Sequence, residues 1–224
     1  MRRRLLTYDN DSSYIKNGLV FWLDGINRGG VSGQWKDIVN GRIATLTGTY
    51  IENTDNIYFP ATSPEGYGTF DSKLFVPYDE GTIETVVELT AYEGTGRPLV
   101  SFDNDRMGGS ISSQVSTGYG GAMRWYLHNG NMKCWRFPEE SKSLVMTASS
   151  NIDRGICNGY SGEKIDTSSW AISSLSGMVA FRGSGNKFKG KMYSVRIYDR
   201  ILSAEEMLHN QRVDNIRFNL GLTI

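Results

Sequence analysis

The chain has 224 residues, of which 26 are glycine, 5 are proline and 12% are aromatic. Lys and Arg together number 24, as do Asp and Glu together, so no net charge is expected to attract nucleic acid or an anionic membrane. No segment has the length and apolar character of a transmembrane helix, so membrane insertion is not expected either. This composition favours many short strands joined by tight turns over a helical bundle.

The N-terminal residues 1–17 are polar and are predicted to form an arm, followed by a single domain over residues 18–224. Arg2, Arg3 and Arg4 are basic, but no apolar stretch follows them, which is not the pattern of a signal peptide. Residues 19–23 (LVFWL) are apolar throughout, so this first strand is expected to be central in its sheet or covered on both faces. No internal repeat or linker-like composition divides the remainder.

Residues 82–90 (TIETVVELT) are the clearest predicted strand in the middle of the chain. Glu84 and Glu88 would lie on one face of it. The other face would carry Ile83, Thr85, Val87 and Leu89. The two carboxylates would be about 13 Å apart, too far for either glycosidase geometry. With two His residues and no Ser-His-Asp or Cys-His arrangement, the sequence predicts that the protein is not an enzyme.

Asn129-Gly130 separates two strand-like runs, residues 122–128 and 131–137. Asn-Gly accepts the positive φ angles of a type I′ turn, so a hairpin with a two-residue loop is predicted. That register would pair Arg124 with Trp135, and Tyr126 with Lys133, on one half-exposed face. The opposite face is apolar and would point into the core with Trp125, Leu127, Met132 and Cys134.

The two cysteines, Cys134 and Cys157, could form one disulfide bond, but two free thiols are the favoured interpretation. Neither cysteine has the spacing of a metal ligand, and the only histidines are His128 and His209. A structural zinc site is therefore not expected.

Asp103-Asn104-Asp105 follows a predicted strand, and alternating carboxylates could bind Ca²⁺. The glycine and the distal glutamate of an EF-hand are missing, so the sequence favours a solvated turn at Asp103 and Asp105. Asp24 and Asp37 could be ligands in the same way, but capping and turn formation are the favoured roles. No other cofactor is expected.

Residues 193–210 (YSVRIYDRILSAEEMLHN) change period halfway. Alternation over residues 193–198 predicts a half-buried strand. Ser203 and Glu206 then have the spacing of a capping box, so a short helix is predicted to begin there. His209 is expected near the carbonyl groups at the end of that helix, where a partial positive charge is favoured.

The order of these segments resembles the concanavalin A-like, laminin G-type jelly-roll sandwich over residues 18–218. The matching segments are residues 18–25 (GLVFWLDG), 35–41 (WKDIVNG), 82–84 (TIE), 157–159 (CNG) and 188–210. The last of them is the most specific. The resemblance implies an all-β fold of two antiparallel sheets with one short C-terminal helix. Residues 213–218 resemble the tail of such domains in tailed-bacteriophage structural proteins and gut-bacterial surface proteins.

The resemblance implies a glycan-binding site on the concave sheet or its rim loops. Arg124, Tyr126 and Trp135 would supply an aromatic platform with nearby polar groups, and Tyr119 a contact from a glycine-rich loop. The alternative is that Trp135 packs over Arg124 or is covered by a loop, and that Tyr119 lies in a plain turn. The sequence favours this alternative at both places.

The resemblance leaves several functions open. The first is a non-catalytic surface-recognition module, a virion-associated decoration or adhesion protein that binds cell-surface glycan or polysaccharide. The second is a purely structural phage capsid or tail component that contacts other virion proteins or further copies of itself. The third is a bacterial extracellular carbohydrate-binding protein. The corresponding location is the virion surface or the extracellular space.

Overall fold

The structure, a computed structural model, describes residues 14–70, 74–76, 81–90, 97–102, 106–111, 123–125, 131–137, 143–151, 153–168, 175–177 and 188–224. In these segments the chain forms the strands β1 (Leu19–Asp24), β2 (Gln34–Lys36), β3 (Ile43–Thr47), β4 (Ile51–Glu52), β5 (Ile57–Phe59), β6 (Tyr67–Phe70), β7 (Leu74–Val76), β8 (Thr82–Leu89), β9 (Arg97–Phe102), β10 (Arg106–Ile111), β11 (Met123–Trp125), β12 (Asn131–Arg136), β13 (Val145–Ser150), β14 (Gly155–Cys157), β15 (Tyr160–Ser161), β16 (Glu163–Ser168), β17 (Leu175–Gly177) and β18 (Gly190–Tyr198). The helix α1 (Ala204–Arg217) follows the last strand.

The strands form antiparallel sheets. The largest sheet has eight strands, in the order β15-β14-β13-β8-β18-β5-β4, with β1 also paired to β18. Since β18 is long, β1 pairs with its second half and β5 with its first. A five-stranded sheet has the order β16-β12-β11-β10-β9, a three-stranded sheet the order β2-β3-β6, and β17 pairs with β7.

A shared core joins the eight-stranded sheet to the other strands. One cluster contains the side chains of Phe21, Leu23, Trp35, Ala44, Leu46, Ile57, Phe59, Phe70, Ile83, Val87, Leu89, Trp135, Phe137, Met146, Ala148, Cys157, Phe188, Met192, Val195 and Ile197. Apolar side chains that two facing sheets contribute to one cluster are the pattern of a β-sandwich. The predicted all-β antiparallel sandwich with a C-terminal helix is therefore confirmed. Within the described residues, no helix has the length and apolar character needed to cross a bilayer.

The alternation predicted for β8 is also confirmed. Ile83, Val87 and Leu89 point into the core. Glu84 and Glu88 lie on the outer face, where β18 and β13 flank them. Strand β1 is likewise covered on both faces, because Phe21 and Leu23 enter the core and Trp22 is buried on the other side.

The predicted register of the hairpin is wrong by one residue. Met123 pairs with Trp135, and Arg124 pairs with Cys134 instead of with Trp135. A shift of one residue reverses which side chains face the core, because side chains alternate along a strand. Trp135 accordingly lies in the core. Two glycines make room for it: a Cβ atom on Gly155 would lie 2.5 Å from the Trp135 ring, and one on Gly162 would lie 2.8 Å from its Cβ.

The predicted capping box is present at the start of α1. The Ser203 hydroxyl accepts a hydrogen bond from the Glu206 amide at 3.2 Å, and the Ser203 amide donates to the Glu206 carboxylate at 2.9 Å. The helix continues to Arg217, beyond the predicted end. His209 therefore lies in the middle of the helix, and the prediction that it is near the last carbonyl groups is wrong.

Cys157 is a free, buried thiol. Burial raises the pKa of the Cys157 thiol from 9.0 to about 12. Between these two values the unfolded chain releases the proton and the folded chain keeps it, so stability should fall with rising pH by about 1.4 kcal/mol per pH unit from this group. We expect Cys157→Ala to remove that part of the slope when urea unfolding is measured from pH 9 to pH 10.5. An unchanged slope would contradict a protonated, buried thiol.

Candidate functional site

The structure moves Trp135 out of the predicted glycan patch. Trp135 is 2% exposed and lies in the core, so its ring does not form an exposed platform. It pairs with Met123 and not with Arg124, over which the alternative would have packed it. Arg124 is placed on β11 opposite Cys134. Tyr126 and Tyr119 lie outside the described residues, as do Asp103 and Asp105.

Asp24 and Asp37 have the predicted turn chemistry. Asp37 accepts hydrogen bonds from the amides of Trp22 and Val39, both at 3.0 Å, and forms an ion pair with Arg42 at 3.1 Å. Asp24 accepts from the Ile26 amide at 3.1 Å and from the Arg217 guanidinium. Among the described residues, no group of three or more His, Cys, Asp or Glu side chains could hold a metal ion.

An open polar groove lies beside the turn between β4 and β5. Its volume is about 730 Å³. The residues that line it are Glu52, Asn53, Thr54, Asp55, Asn56, Lys191 and Tyr193. We call it the β4–β5 groove. A smaller cavity of about 280 Å³ lies beside Trp22, but the Lys16 ammonium already covers that ring, 4.6 Å from its centre.

Hydrogen bonds hold the turn that forms one wall of the β4–β5 groove. The side-chain nitrogen of Asn53 donates to the side-chain oxygen of Asn56 at 2.8 Å, and the side-chain nitrogen of Asn56 donates to Asp55 Oδ1 at 2.6 Å. Gly25 packs directly on this turn, because a Cβ atom there would lie 2.0 Å from the Asp55 carbonyl oxygen. The turn is therefore fixed both by its own side chains and by the end of β1.

Glu52 and Arg28 anchor the same wall from outside. Arg28 pairs with Glu52 at 3.0 Å and donates to the Asn53 carbonyl oxygen at 3.1 Å. Glu52 also accepts from the Ser32 hydroxyl at 3.1 Å and from the Gly33 amide at 2.7 Å. The Glu52 carboxylate thus has three contacts within the protein and supports the wall of the groove.

The floor of the groove comes from β18. Lys191 donates to the Glu88 carboxylate at 2.9 Å, and the Tyr193 hydroxyl donates to the same oxygen at 3.0 Å. Tyr193 packs against Phe218, with ring centres 5.4 Å apart. Burial raises the pKa of Tyr193, and the charges of Glu88 and Asp55 raise it further, so the phenol keeps its proton.

The groove was not predicted from the sequence. Residues 53–56 lie in a stretch whose strand register the sequence left undecided, and Lys191 and Tyr193 belong to a block that was interpreted as family architecture. One signal was present: Asn-Thr-Asp-Asn between Ile51 and Ile57 is a run of polar turn formers between two apolar residues.

A second polar cluster is fully buried under α1. Glu84 accepts from Arg196 and Asn210 at 2.9 Å each and from Ser149 at 3.0 Å, and Arg196 also pairs with Asp214 of the helix. Burial raises the pKa of Glu84, and Arg196 opposes that rise. These contacts attach α1 to the sheet. Glu84 and Glu88 therefore have separate partners.

No protein-family model matches the chain, and no curated protein matches it. Solved structures do share its fold. Trypanosoma rangeli sialidase in complex with sialic acid matches with a TM-score of 0.58 and 13% identity, over 89% of this chain and 33% of the sialidase chain. Domain 4 of a GH43 extracellular arabinanase from Geobacillus stearothermophilus, in complex with arabinotriose, matches with a TM-score of 0.57 and 13% identity, over 88% of this chain and 100% of that domain.

The binding domain of botulinum neurotoxin DC, in complex with rat synaptotagmin II, matches with a TM-score of 0.53 and 10% identity, over 91% of this chain and 52% of that chain.

The sialidase comparison overturns the prediction that the chain is not an enzyme, because sialidases are enzymes and contain this fold. The chain spans about a third of the sialidase, 33% of its length. The lack of a recognisable catalytic motif in this sequence therefore does not distinguish it from part of an enzyme that includes such a domain. At these identities, the comparisons establish a β-sandwich fold and no more.

Proposed function

We propose that this chain is a carbohydrate-recognition domain. The observation that carries the proposal is the β4–β5 groove, whose polar wall is held in place by the protein's own hydrogen bonds. Polar groups fixed before binding lower the entropy lost when a ligand is ordered. The fold shared with an arabinanase domain solved with arabinotriose supports this class of ligand.

We propose further that this recognition takes place on a virion surface or outside the cell, with a cell-surface glycan or polysaccharide as the ligand. The resemblance of residues 213–218 to tails of phage and gut-bacterial surface domains supports it. Contacts with other virion proteins, or with further copies of the chain, belong to the same proposal. The concanavalin A-like, laminin G-type assignment and the domain over residues 18–224 are proposed on the same resemblance.

The experiment is a binding screen of the full chain. The protein is run by native electrophoresis through gels that contain soluble arabinan, xylan, mannan, glucan or an acidic polysaccharide. We expect at least one polysaccharide to slow its migration, and the matching oligosaccharide to restore it. A reference protein that binds no sugar corrects for gel effects. Unchanged migration in every gel, together with no signal on a glycan array, would contradict the proposed function.

The hairpin, through Arg124 and Tyr126, remains a second candidate surface, together with Tyr119 from the predicted glycine-rich loop that precedes it. Arg124 lies on β11 in the five-stranded sheet, next to the strand that carries Trp135. Variants Arg124→Ala and Tyr126→Ala in the same screen test it directly. Loss of binding in these variants, with binding retained in groove variants, would place the ligand on the hairpin.

A further inference from the structure

We infer that the β4–β5 groove binds a neutral saccharide, with Asp55 and Lys191 as its main hydrogen-bonding groups. This inference rests on the proposed function and adds a site and a class of ligand to it. Both residues line the groove, one from the turn after β4 and one from β18.

Asp55 and Lys191 retain hydrogen-bonding capacity. The Asp55 carboxylate accepts from Asn56 through Oδ1, and a carboxylate can accept about four hydrogen bonds. The Lys191 ammonium donates to Glu88, and an ammonium has three donors. A sugar hydroxyl both donates and accepts, so one hydroxyl can donate to Asp55 while a neighbouring one accepts from Lys191. Two adjacent hydroxyl groups therefore match this pair.

The charges around the groove disfavour an acidic sugar. Arg28 neutralises Glu52, and Lys191 neutralises Glu88. Among the residues that the structure describes, no ion pair neutralises Asp55. The lining consequently carries one excess negative charge, which repels the carboxylate of a uronic or sialic acid. A neutral sugar meets no such repulsion.

An apolar strip borders the groove on the outer face of the sheet. Tyr58 pairs in register with Lys191 on one side and with Ile51 on the other, so these three side chains share a face. Tyr58 is partly exposed, and Ile51 is 50% exposed. Sugars have apolar ring faces that pack on aromatic side chains. The strip thus gives the second element of a saccharide site beside the polar pair.

The test compares variants that keep the fold. Asp55→Asn removes the charge but keeps an oxygen that can accept from Asn56, and Lys191→Met keeps the length of the side chain. Asp153→Asn is the matched control, because Asp153 is exposed in the turn after β13, at the opposite end of β8 from Glu88. Circular dichroism and the urea midpoint verify that each variant is folded.

Affinity is measured by titration calorimetry with the neutral oligosaccharide that the screen identifies, and with its uronic-acid counterpart. We expect Asp55→Asn and Lys191→Met each to weaken neutral binding about tenfold, as loss of a hydrogen bond to a charged group would, and Asp153→Asn to leave it unchanged. We also expect the wild type to bind the neutral sugar more tightly than the acidic one, and Asp55→Asn to reduce the ratio of these two affinities.

Two results would overturn the inference while the proposed function stands. In the first, the wild type binds the neutral sugar and the affinities of Asp55→Asn and Lys191→Met are both within twofold of its affinity. In the second, the wild type binds the acidic sugar more tightly than the neutral one. Absence of any carbohydrate binding by the wild type would overturn the inference together with the proposed function.

Discussion

Replacing Arg196 with alanine is expected to lower the free energy of unfolding by about 3–5 kcal/mol, the usual loss when one member of a buried ion pair is removed. The Arg196 side chain is 1% exposed and pairs with Glu84 at 2.9 Å and Asp214 at 2.5 Å. Its removal leaves two buried carboxylates without a cation. Equilibrium urea unfolding at pH 7 measures the loss.

The control is Arg212→Ala. Arg212 is exposed on α1, two residues before Asp214, so its replacement should change stability by no more than about 0.5 kcal/mol. A loss below about 1 kcal/mol for Arg196→Ala would mean that water or another cation compensates the carboxylates, and would contradict the role given to Arg196.

The loss caused by Arg196→Ala should also depend on pH. Burial already raises the pKa of Glu84 above its ordinary value of 4.5, and Arg196 opposes that rise. Without Arg196, the pKa of Glu84 should rise further. A carboxyl group whose pKa is raised in the folded state destabilises that state as the pH rises through the interval above 4.5. The loss should therefore be smaller at pH 4.5 than at pH 7.

The same cluster explains how α1 is attached to the sheet. Asn210 donates to Glu84 and to the Tyr198 hydroxyl, and Gln211 donates to the Ser149 hydroxyl and the Ile156 carbonyl. Tyr14 adds a hydrogen bond from its hydroxyl to Asp214 at 2.8 Å. The helix is thus held largely by buried polar side chains, together with a small apolar cluster around Met207.

Local patterns predicted the parts of the fold that depend on neighbouring residues. The capping box needs only Ser203 and Glu206, and the alternation in β8 needs only the pleat of one strand. The docking of α1 could not be predicted in this way. Asn210, Gln211 and Asp214 look like solvent-facing residues in the sequence, and their burial depends on Arg196 and Glu84, which only the pairing of β8 with β18 brings opposite each other.

The candidate site was harder to predict for a related reason. The β4–β5 groove joins a turn at residues 53–56 to Lys191 and Tyr193, more than 130 positions away along the chain. No local pattern connects such distant segments. On the hairpin, Asn-Gly correctly indicated two paired strands. The register that forms is the one that places Trp135 in the core, and the turn sequence alone does not predict it.

Trp135→Ala is expected to lower the free energy of unfolding by about 3–5 kcal/mol, the usual range for a buried tryptophan. The ring fills a space bordered by Gly155 and Gly162, neither of which has a side chain that could move into the cavity. The Trp135 indole nitrogen has no hydrogen-bond partner in the described part of the chain, so lost packing should account for the effect. Urea unfolding of the wild type, Trp135→Ala and Trp135→Phe measures it, with a smaller loss for phenylalanine.

The same variant also distinguishes between a packing role and a ligand-binding role for Trp135. If Trp135 belongs to the core, carbohydrate affinity per mole of folded Trp135→Ala protein should equal that of the wild type, because a ring that is only 2% exposed cannot contact a ligand. Binding is measured well below the unfolding midpoint, with the folded fraction taken from circular dichroism. A stable variant with weakened binding would instead restore Trp135 to the glycan patch and would contradict its place in the core. The stability and binding measurements together therefore decide between the two roles that the sequence left open for this residue.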